Sequence, residues 1–338
     1  MSDSQYSALT ENIHAQCHEH GLELLYLVLF GSRLYGTDIE GKSDTDIRGI
    51  FLPKPETLAL CEARHSLHIS TGSSDSRNTA EDIDIDLWSL QHWLLKLLPG
   101  GDTGAEDLLF SPSHSSCVLY MDARLRPVFE TPLQFIDTRN GKSCAEYAVG
   151  QGKKYGLKGS RLGAVRAVHT CLTNLCPDAS SEERIERYIP QMVSAADSRY
   201  CVAVTVQGKA ALSLCGKTHM GSTKVQIFAK RLQDEIASYG KRAEIAEESG
   251  GIDWKALSHA VRAIRQMEEL QTAGTIRFPL SCRNELMQIK TGQLSFSEVE
   301  NLITAGLERI TACRLPSAYR PEAAKEMILR CYGLGKNS

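Results

Sequence analysis

The sequence predicts an α/β fold for residues 1–115, followed by a largely helical remainder that includes one short strand pair. Two short apolar segments, GLELLYLVLFGS and TDIRGIFLP, and a strictly alternating segment, DIDIDLWS, are typical of β-strands. The segment that follows, SLQHWLLKLLPGG, changes to helical spacing and ends at Pro-Gly-Gly. Three strands and a helix within about 80 residues predict a compact α/β unit with a small mixed sheet.

The remaining elements follow in chain order. The polar segment SLHISTGSSDSRNTAED, between the second and third predicted strands, is typical of a loop. Residues from about 140 to 170 are predicted helical and basic, RYCVAVTVQGKAALSLC resembles a strand pair, and three helical stretches follow residue 222. The Gly-rich ESGGID favours an internal boundary. We therefore expect three regions, at 1–115, 116–245 and 246–338.

Composition excludes several classes of protein. A net charge of −3 with 42% hydrophobic and 23% charged residues is ordinary globular composition without a global basic field. Eleven cysteines without a CxxC motif indicate a reduced, intracellular protein rather than a disulfide framework or a zinc site. The N-terminus is polar, and the apolar run LLYLVLF is too short to span a bilayer. We expect a soluble, cytoplasmic protein with no membrane partner.

The segment LFGSRLYGTDIEGKSDTDIRGIF concentrates the residues that indicate chemistry. Gly31 and Ser32 end the first strand and open a helix, where small residues let a phosphate approach free backbone N–H groups. Asp44 and Asp46 are two apart, so on a strand they share one face. Two neighbouring carboxylates repel each other, and a bound cation relieves that repulsion.

A third carboxylate is expected from the alternating strand, where Asp82, Asp84 and Asp86 all point to one face. Same-face residues are about 7 Å apart along a strand, so one of the three can reach a site at Asp44 and Asp46 well. Three carboxylates around two divalent cations, Mg²⁺ or Mn²⁺, are typical of sites that act on a nucleoside triphosphate.

These motifs resemble the DNA polymerase β-type nucleotidyltransferase superfamily. The RlaP-like branch of this superfamily, which is linked to RNA repair, has similar sequences to two segments of this chain. They are GSRLYGTDIEGKSDTDIRGIF and DIDLWSLQHWLLKLLPGGDTGAEDLLFSP. SYGKRA and DWKALSHAVRAIRQMEELQTAGTIRFPL extend the resemblance over most of the chain, and it is weakest from about 170 to 220. The segment PGGDTGAED departs from the Lys-Gly-Asn-Pro usual in that branch, which concerns the shape of a loop.

The resemblance implies a polymerase-β-like core with a catalytic domain at residues 1–115. It implies phosphate binding by Gly31 and Ser32, and we extend this to the neighbouring Arg33 and to Arg48. Arg48 has the alternative of neutralising nearby aspartates. The implied metal ligands are Asp44, Asp46 and Asp84, with Asp86 as the alternative to Asp84.

The implied reaction moves a nucleoside monophosphate from an NTP to a hydroxyl acceptor and releases pyrophosphate. We expect the acceptor to be the 3′ end of an RNA, with a tRNA-like RNA as one candidate. The alternatives are AMPylation-type nucleotidylation of a protein, as in antitoxin-like members, synthesis of an oligonucleotide second messenger, and a pseudoenzyme that senses nucleotides or RNA.

Two basic segments are candidates for contacts with substrate phosphates. The segment GKKYGLKGSRLGAVRAVH is one, and DWKALSHAVRAIRQ presents a polar stripe at helical spacing. A solvated helix face is the alternative for the first segment, and a face that packs against other helices is the alternative for the second. The candidate residues are Lys153, Lys154, Lys158, Arg161, Lys255, His259 and Arg262.

Overall fold

In the computed structural model, the described residues are 3–39, 41, 43–70, 82–137, 141–149, 158–177, 182–238, 252–312 and 317–334. The chain forms two compact units. The first comprises Met1–Ala148, Val261–Gln288 and Asn301–Ser338, and the second comprises Val149–Ala260 and Ile289–Glu300.

The secondary structure is mixed. The strands are β1 Leu22–Leu29, β2 Thr45–Pro53, β3 Ser66–Ser70, β4 Ile83–Ser89, β5 Val118–Met121, β6 Cys201–Val206, β7 Lys209–Leu214 and β8 Lys217–Met220. The helices are α1 Asp3–Glu19, α2 Gly31–Tyr35, α3 Pro55–Ala59, α4 Leu90–His92, α5 Thr103–Phe110, α6 Arg126–Glu130, α7 Gly141–Val149, α8 Lys158–Leu175, α9 Ile189–Ala195, α10 Val225–Ser238, α11 Trp254–Ala273, α12 Arg283–Lys290, α13 Phe296–Ala312 and α14 Pro321–Cys331. A π-helical turn, Trp93–Leu97, continues α4.

The first unit is built on a five-stranded sheet with the order β3-β4-β2-β1-β5. β2 and β4 are parallel, and the other neighbouring pairs are antiparallel. In the parallel pair Asp46 lies opposite Asp84, and Arg48 lies opposite Asp86. Because side chains alternate along a strand, these four polar residues share one face of the sheet.

The other face of β2 and β4 belongs to the core of the first unit. Ile47, Ile85 and Leu87 lie on it, and all three are buried. β1 is flanked by β2 and β5 and is buried along nearly its whole length. This position explains why its sequence is a continuous apolar run rather than an alternating one.

The second unit contains a three-stranded antiparallel sheet with the order β6-β7-β8. β6 and β7 are joined by Gln207 and Gly208, both of which have positive φ angles, as a tight hairpin requires. Its core contains Val168 of α8, Leu212 of β7 and Phe228 of α10. The predicted strand pair in this region is therefore present, with a third strand added.

The predicted α/β fold with a helical C-terminal region is confirmed. The loop predicted between the second and third strands is wrong at its start, because Ser66–Ser70 pairs with β4 as an edge strand. Its alternation is too short and polar to be recognised without its partner. Residues 71–81, and most of the ESGGID segment, lie outside the described residues. The three regions divided at 115 and 245 stay a prediction.

Other elements of the first unit were also absent from the sequence-based prediction. Among them are the N-terminal helix α1, the short helices α3 and α5, and the edge strand β5. α1 lacks a strong apolar stripe, and β5 is only four residues long, so neither carries a clear periodic signal. Among the described residues, no helix is long and apolar enough to cross a membrane.

Candidate active site

Three carboxylates meet on the polar face of the first unit's sheet. Asp46 and Asp84 are brought side by side by the parallel register of β2 and β4, and Asp44 immediately precedes β2. One carboxylate oxygen of each residue lies within 4.8 Å of the others, and all three side chains are half-buried. Asp46 and Asp84 are 38 positions apart in sequence, so the cluster forms only because β2 and β4 pair in this register.

The donor set fits a hard divalent cation. All three groups offer anionic oxygen, which Mg²⁺ and Mn²⁺ prefer, and no nitrogen or sulfur is among them. Oxygens around one ion at about 2.1 Å are separated by about 3 to 4 Å, so the observed cluster needs only small side-chain adjustments to close on a cation. Three clustered carboxylates also repel one another strongly in a half-buried site, which favours cation binding.

Asp86, the alternative third carboxylate, has a different neighbour. It lies one same-face step beyond Asp84 on β4, and its carboxylate is 2.7 Å from Nδ1 of His68 on β3. Asp84 accepts a hydrogen bond of 2.5 Å from Ser70 on the same edge strand. Asp82 precedes β4 and is not part of the three-carboxylate cluster. The geometry therefore favours Asp84 as the third ligand, and its metal binding stays a prediction.

Gly31 and Ser32 begin α2, as the sequence predicts. Gly31 has φ +59°, a left-handed conformation, and a Cβ added there would overlap the Asp46 carboxylate. The amide of Phe30 donates a 2.8 Å hydrogen bond to the carbonyl oxygen of Asp46. The turn is thus packed directly on one of the proposed metal ligands, and only glycine allows that close approach.

Arg48 follows Asp46 on the polar face of β2. Its guanidinium lies between two aromatic rings, 4.4 Å from the centroid of Phe30 and 4.8 Å from that of Trp88. A Cβ on Gly104, near the start of α5, would overlap this guanidinium. Within the described ranges, no carboxylate forms a salt bridge with Arg48, so the rings rather than an acid hold it in place.

Arg33 lies on α2 and is half-buried. Its Nε is buried and has no hydrogen-bond partner among the described residues. Burial raises the pKa of the neighbouring Cys117 thiol, and the positive charge of Arg33 partly opposes that rise. Phosphate contacts from Arg33 and Arg48, like those from Gly31 and Ser32, stay predictions.

The basic candidates are distributed differently from the carboxylates. Lys153 and Lys154 lie outside the described residues, and Lys158 begins α8 without a described side chain. Arg161 is exposed on α8. The structure supports neither their contact with a substrate nor the alternative of a solvated face.

The polar stripe predicted along α11 is not uniform. Lys255 is exposed, His259 is half-buried, and Arg262 is buried at 7% exposure. Arg262 forms a 2.6 Å ion pair with Asp107 of α5. For Arg262 the geometry favours the alternative of a packing face over a substrate contact.

Sequence reasoning did not assign a function to Tyr35 or Asp107, although both lie in motifs that carry the family resemblance. The Tyr35 hydroxyl donates a 2.8 Å hydrogen bond to the Asp107 carboxylate, and both residues are buried. Next to Asp107, burial raises the pKa of Glu106 to about 8, and the negative charge of Asp107 adds to that rise. The sequence signal that could have identified Asp107 is a charged residue within a helical segment that is otherwise apolar.

Comparisons with known proteins found a matching family model and a curated relative. Residues 1–121 match the model of the RlaP family, described as "RNA repair pathway DNA polymerase beta family". The chain is also 28% identical over 295 residues to an "Uncharacterized 38.9 kDa protein in nrdC-mobD intergenic region" of Enterobacteria phage T4. This alignment covers 84% of this chain and 87% of that protein. No solved structure is significantly similar to this chain.

Proposed function

Because residues 1–121 match the model of the RlaP family, we propose that this protein is a metal-dependent nucleotidyltransferase. The observation that carries the proposal is the cluster of Asp44, Asp46 and Asp84, whose oxygens lie within 4.8 Å of one another. The reaction transfers a nucleoside monophosphate from an NTP to a hydroxyl. A bond forms between the acceptor oxygen and the α-phosphorus, the bond from that phosphorus to the bridging oxygen breaks, and pyrophosphate leaves.

The three carboxylates lie at different positions on the sheet, and we propose a different role for each position. Asp44 and Asp46 would hold a cation on the side of the sheet that faces the Gly31 turn, and Asp84 is the ligand nearest the edge strand β3. Two Mg²⁺ or Mn²⁺ ions bound there supply charge neutralisation for the triphosphate and activation of the acceptor hydroxyl. Ser70 fixes one oxygen of Asp84 by a 2.5 Å hydrogen bond, so the orientation of this carboxylate is set before substrate binds.

Arg48 supplies a positively charged group on the same face. Its ring contacts hold the guanidinium plane while its N–H groups are not used in any salt bridge within the described part of the chain. A guanidinium in that state is suited to a phosphate oxygen, because little side-chain entropy is lost on binding. We propose that Arg48 contacts the triphosphate or the phosphate of the acceptor, and that Gly31, Ser32 and Arg33 lie on the triphosphate side.

The acceptor that we propose is an RNA 3′ end. The support is the description of the matched family as an RNA repair polymerase β family. A tRNA acceptor and contacts from the basic segment at 153–166 are further parts of this proposal.

Incubation of the purified protein with each α-labelled NTP, Mg²⁺ or Mn²⁺, and total RNA tests the proposal. We expect the label to appear in RNA and pyrophosphate to be released. Label in protein would instead assign protein nucleotidylation, and label in a small product would assign oligonucleotide synthesis. The absence of any product with all four NTPs, both metals and either acceptor would contradict the proposed activity.

A further inference from the structure

A buried polar cluster centred on Asp107 lies in the first unit, apart from the three carboxylates. The Asp107 side chain is 1% exposed and accepts three hydrogen bonds. They come from the Tyr35 hydroxyl at 2.8 Å, from Nη1 of Arg262 at 2.6 Å and from Nε2 of Gln266 at 2.6 Å. The Arg262 guanidinium also lies 4.3 Å from the centroid of the Tyr35 ring. One carboxylate therefore joins α2, α5 and α11.

Such a cluster resists rearrangement. A buried carboxylate that loses a donor is left partly unsatisfied, and this destabilises the fold for each lost partner. Burial raises the pKa of Tyr35 well above its usual value, so the phenol keeps its proton and remains a donor. The backbone of Tyr35 is also held, because its carbonyl oxygen accepts a 3.2 Å hydrogen bond from the amide of Leu280. The C-terminal end of α2 is therefore fixed.

α2 is only five residues long, so its two ends are structurally coupled. Tyr35 is its last residue, and its first residue is Gly31, which packs against the carboxylate of Asp46. The ring of Phe30, which precedes the helix, makes an edge contact with Tyr35 at 6.0 Å between centroids. A shift at Tyr35 is therefore transmitted through a single turn of helix to the surface that limits the position of Asp46.

We propose that Tyr35 and Asp107 are positioning residues that set the Asp46 carboxylate for metal binding. The inference rests on the proposed function, because it takes Asp46 as a metal ligand. None of the cluster's residues belongs to the group of three carboxylates, so the cluster would act through α2.

Tyr35→Phe tests the proposal, with Tyr26→Phe as its matched control. Tyr26 is also a buried tyrosine of the first unit, and its hydroxyl is 2.8 Å from the Ser111 hydroxyl, but it lies on β1 rather than on α2. Each substitution removes one buried hydroxyl and keeps the ring, so the pair separates the general effect of losing a buried hydrogen bond from an effect that is specific to α2. Mn²⁺ binding is measured for each by isothermal titration calorimetry and by the decrease of the free-ion EPR signal.

We expect Tyr35→Phe to raise the Kd for Mn²⁺ about five- to tenfold. Residues that contact and orient a metal ligand typically affect metal affinity by about 10- to 100-fold, and Tyr35 should have a smaller effect because it acts on Asp46 through α2. Tyr26→Phe should stay within about twofold of the wild type, where no such coupling exists. In the transfer assay, raising the Mg²⁺ concentration should restore the activity of Tyr35→Phe. Asp107→Asn, which keeps the shape of the side chain, should weaken Mn²⁺ binding in the same direction.

Equal Mn²⁺ affinities for Tyr35→Phe, Tyr26→Phe and the wild type would overturn the positioning proposal and leave the cluster a purely structural one. The proposed function would survive that result. If Asp44→Ala binds Mn²⁺ with the same affinity as the wild type, the proposed metal site itself is wrong, and the positioning proposal with it.

Discussion

Gly31→Ala separates the geometry of the site from the stability of the fold. Gly31 has φ +59°, and a Cβ there would overlap Oδ2 of Asp46. The overlapping atom is the free end of a side chain rather than backbone. Asp46 can therefore rotate away at a small energetic cost, but its carboxylate then leaves the cluster with Asp44 and Asp84. The substitution should therefore displace the Asp46 carboxylate from the proposed metal site although Asp46 itself is unchanged.

The magnitude follows from two separate costs. Forcing alanine into the left-handed region costs about 1 to 2 kcal/mol. Displacing Asp46 from its preferred rotamer adds about 0.5 to 1.5 kcal/mol. Gly21→Ala is the matched control, because Gly21 has φ +68° and an added Cβ would make only ordinary contacts, at 3.6 Å, with the side chain of Lys54. We therefore expect the two variants to differ by about 1 kcal/mol in the free energy of unfolding.

The assay compares urea unfolding with Mn²⁺ binding for the wild type and both variants. Gly21→Ala should bind Mn²⁺ as the wild type does, whereas Gly31→Ala should lose at least about tenfold in affinity, equivalent to about 1.4 kcal/mol. Wild-type affinity in Gly31→Ala would show that the turn does not limit the position of Asp46. Equal losses in the two variants would assign the effect to backbone strain.

Two further predictions concern the third carboxylate and the acceptor. Asp84→Asn should still bind the metal-nucleotide complex, measured with a fluorescent NTP, but should not transfer, whereas Asp82→Asn should remain active; normal transfer by Asp84→Asn would mean that the proposed ligand is wrong. Charge reversal at Lys153, Lys154 and Lys158 should weaken RNA binding and flatten its dependence on salt, because fewer counterions are released. An unchanged slope of affinity against salt would assign this segment to a solvated surface.

The polar face of the sheet could be predicted because its signal is local. Asp46, Arg48 and Asp84 lie on strands with clear periodicity, and alternation alone places each side chain on a face. Sequence reasoning allowed the third predicted strand to neighbour the second, but it did not predict that the two strands are parallel. The family resemblance then narrowed three aspartates to Asp84, and the match over residues 1–121 confirms that resemblance.

The parts that sequence could not supply depend on distant partners. Ser70 and His68 belong to a short polar segment that becomes a strand only because β4 offers it an edge. Arg262 looked like a surface cation at helical spacing, but its partner Asp107 is 155 residues away in sequence. Charged residues are rarely buried unless they are paired, and a partner so distant in sequence is identified only in the folded structure.

We propose that Asp44, Asp46 and Asp84 form the metal site of a nucleotidyltransferase. Transfer of the α-phosphate label from NTP, measured in parallel for the wild type, Asp44→Ala and Asp46→Ala, tests it most directly. Circular dichroism and urea unfolding establish that each variant is folded. We predict Mg²⁺- or Mn²⁺-dependent transfer by the wild type and loss of transfer by orders of magnitude in both variants, since such ligands bind the ions that stabilise the transferred group. Activity above about 10% of wild type in either folded variant would contradict the account.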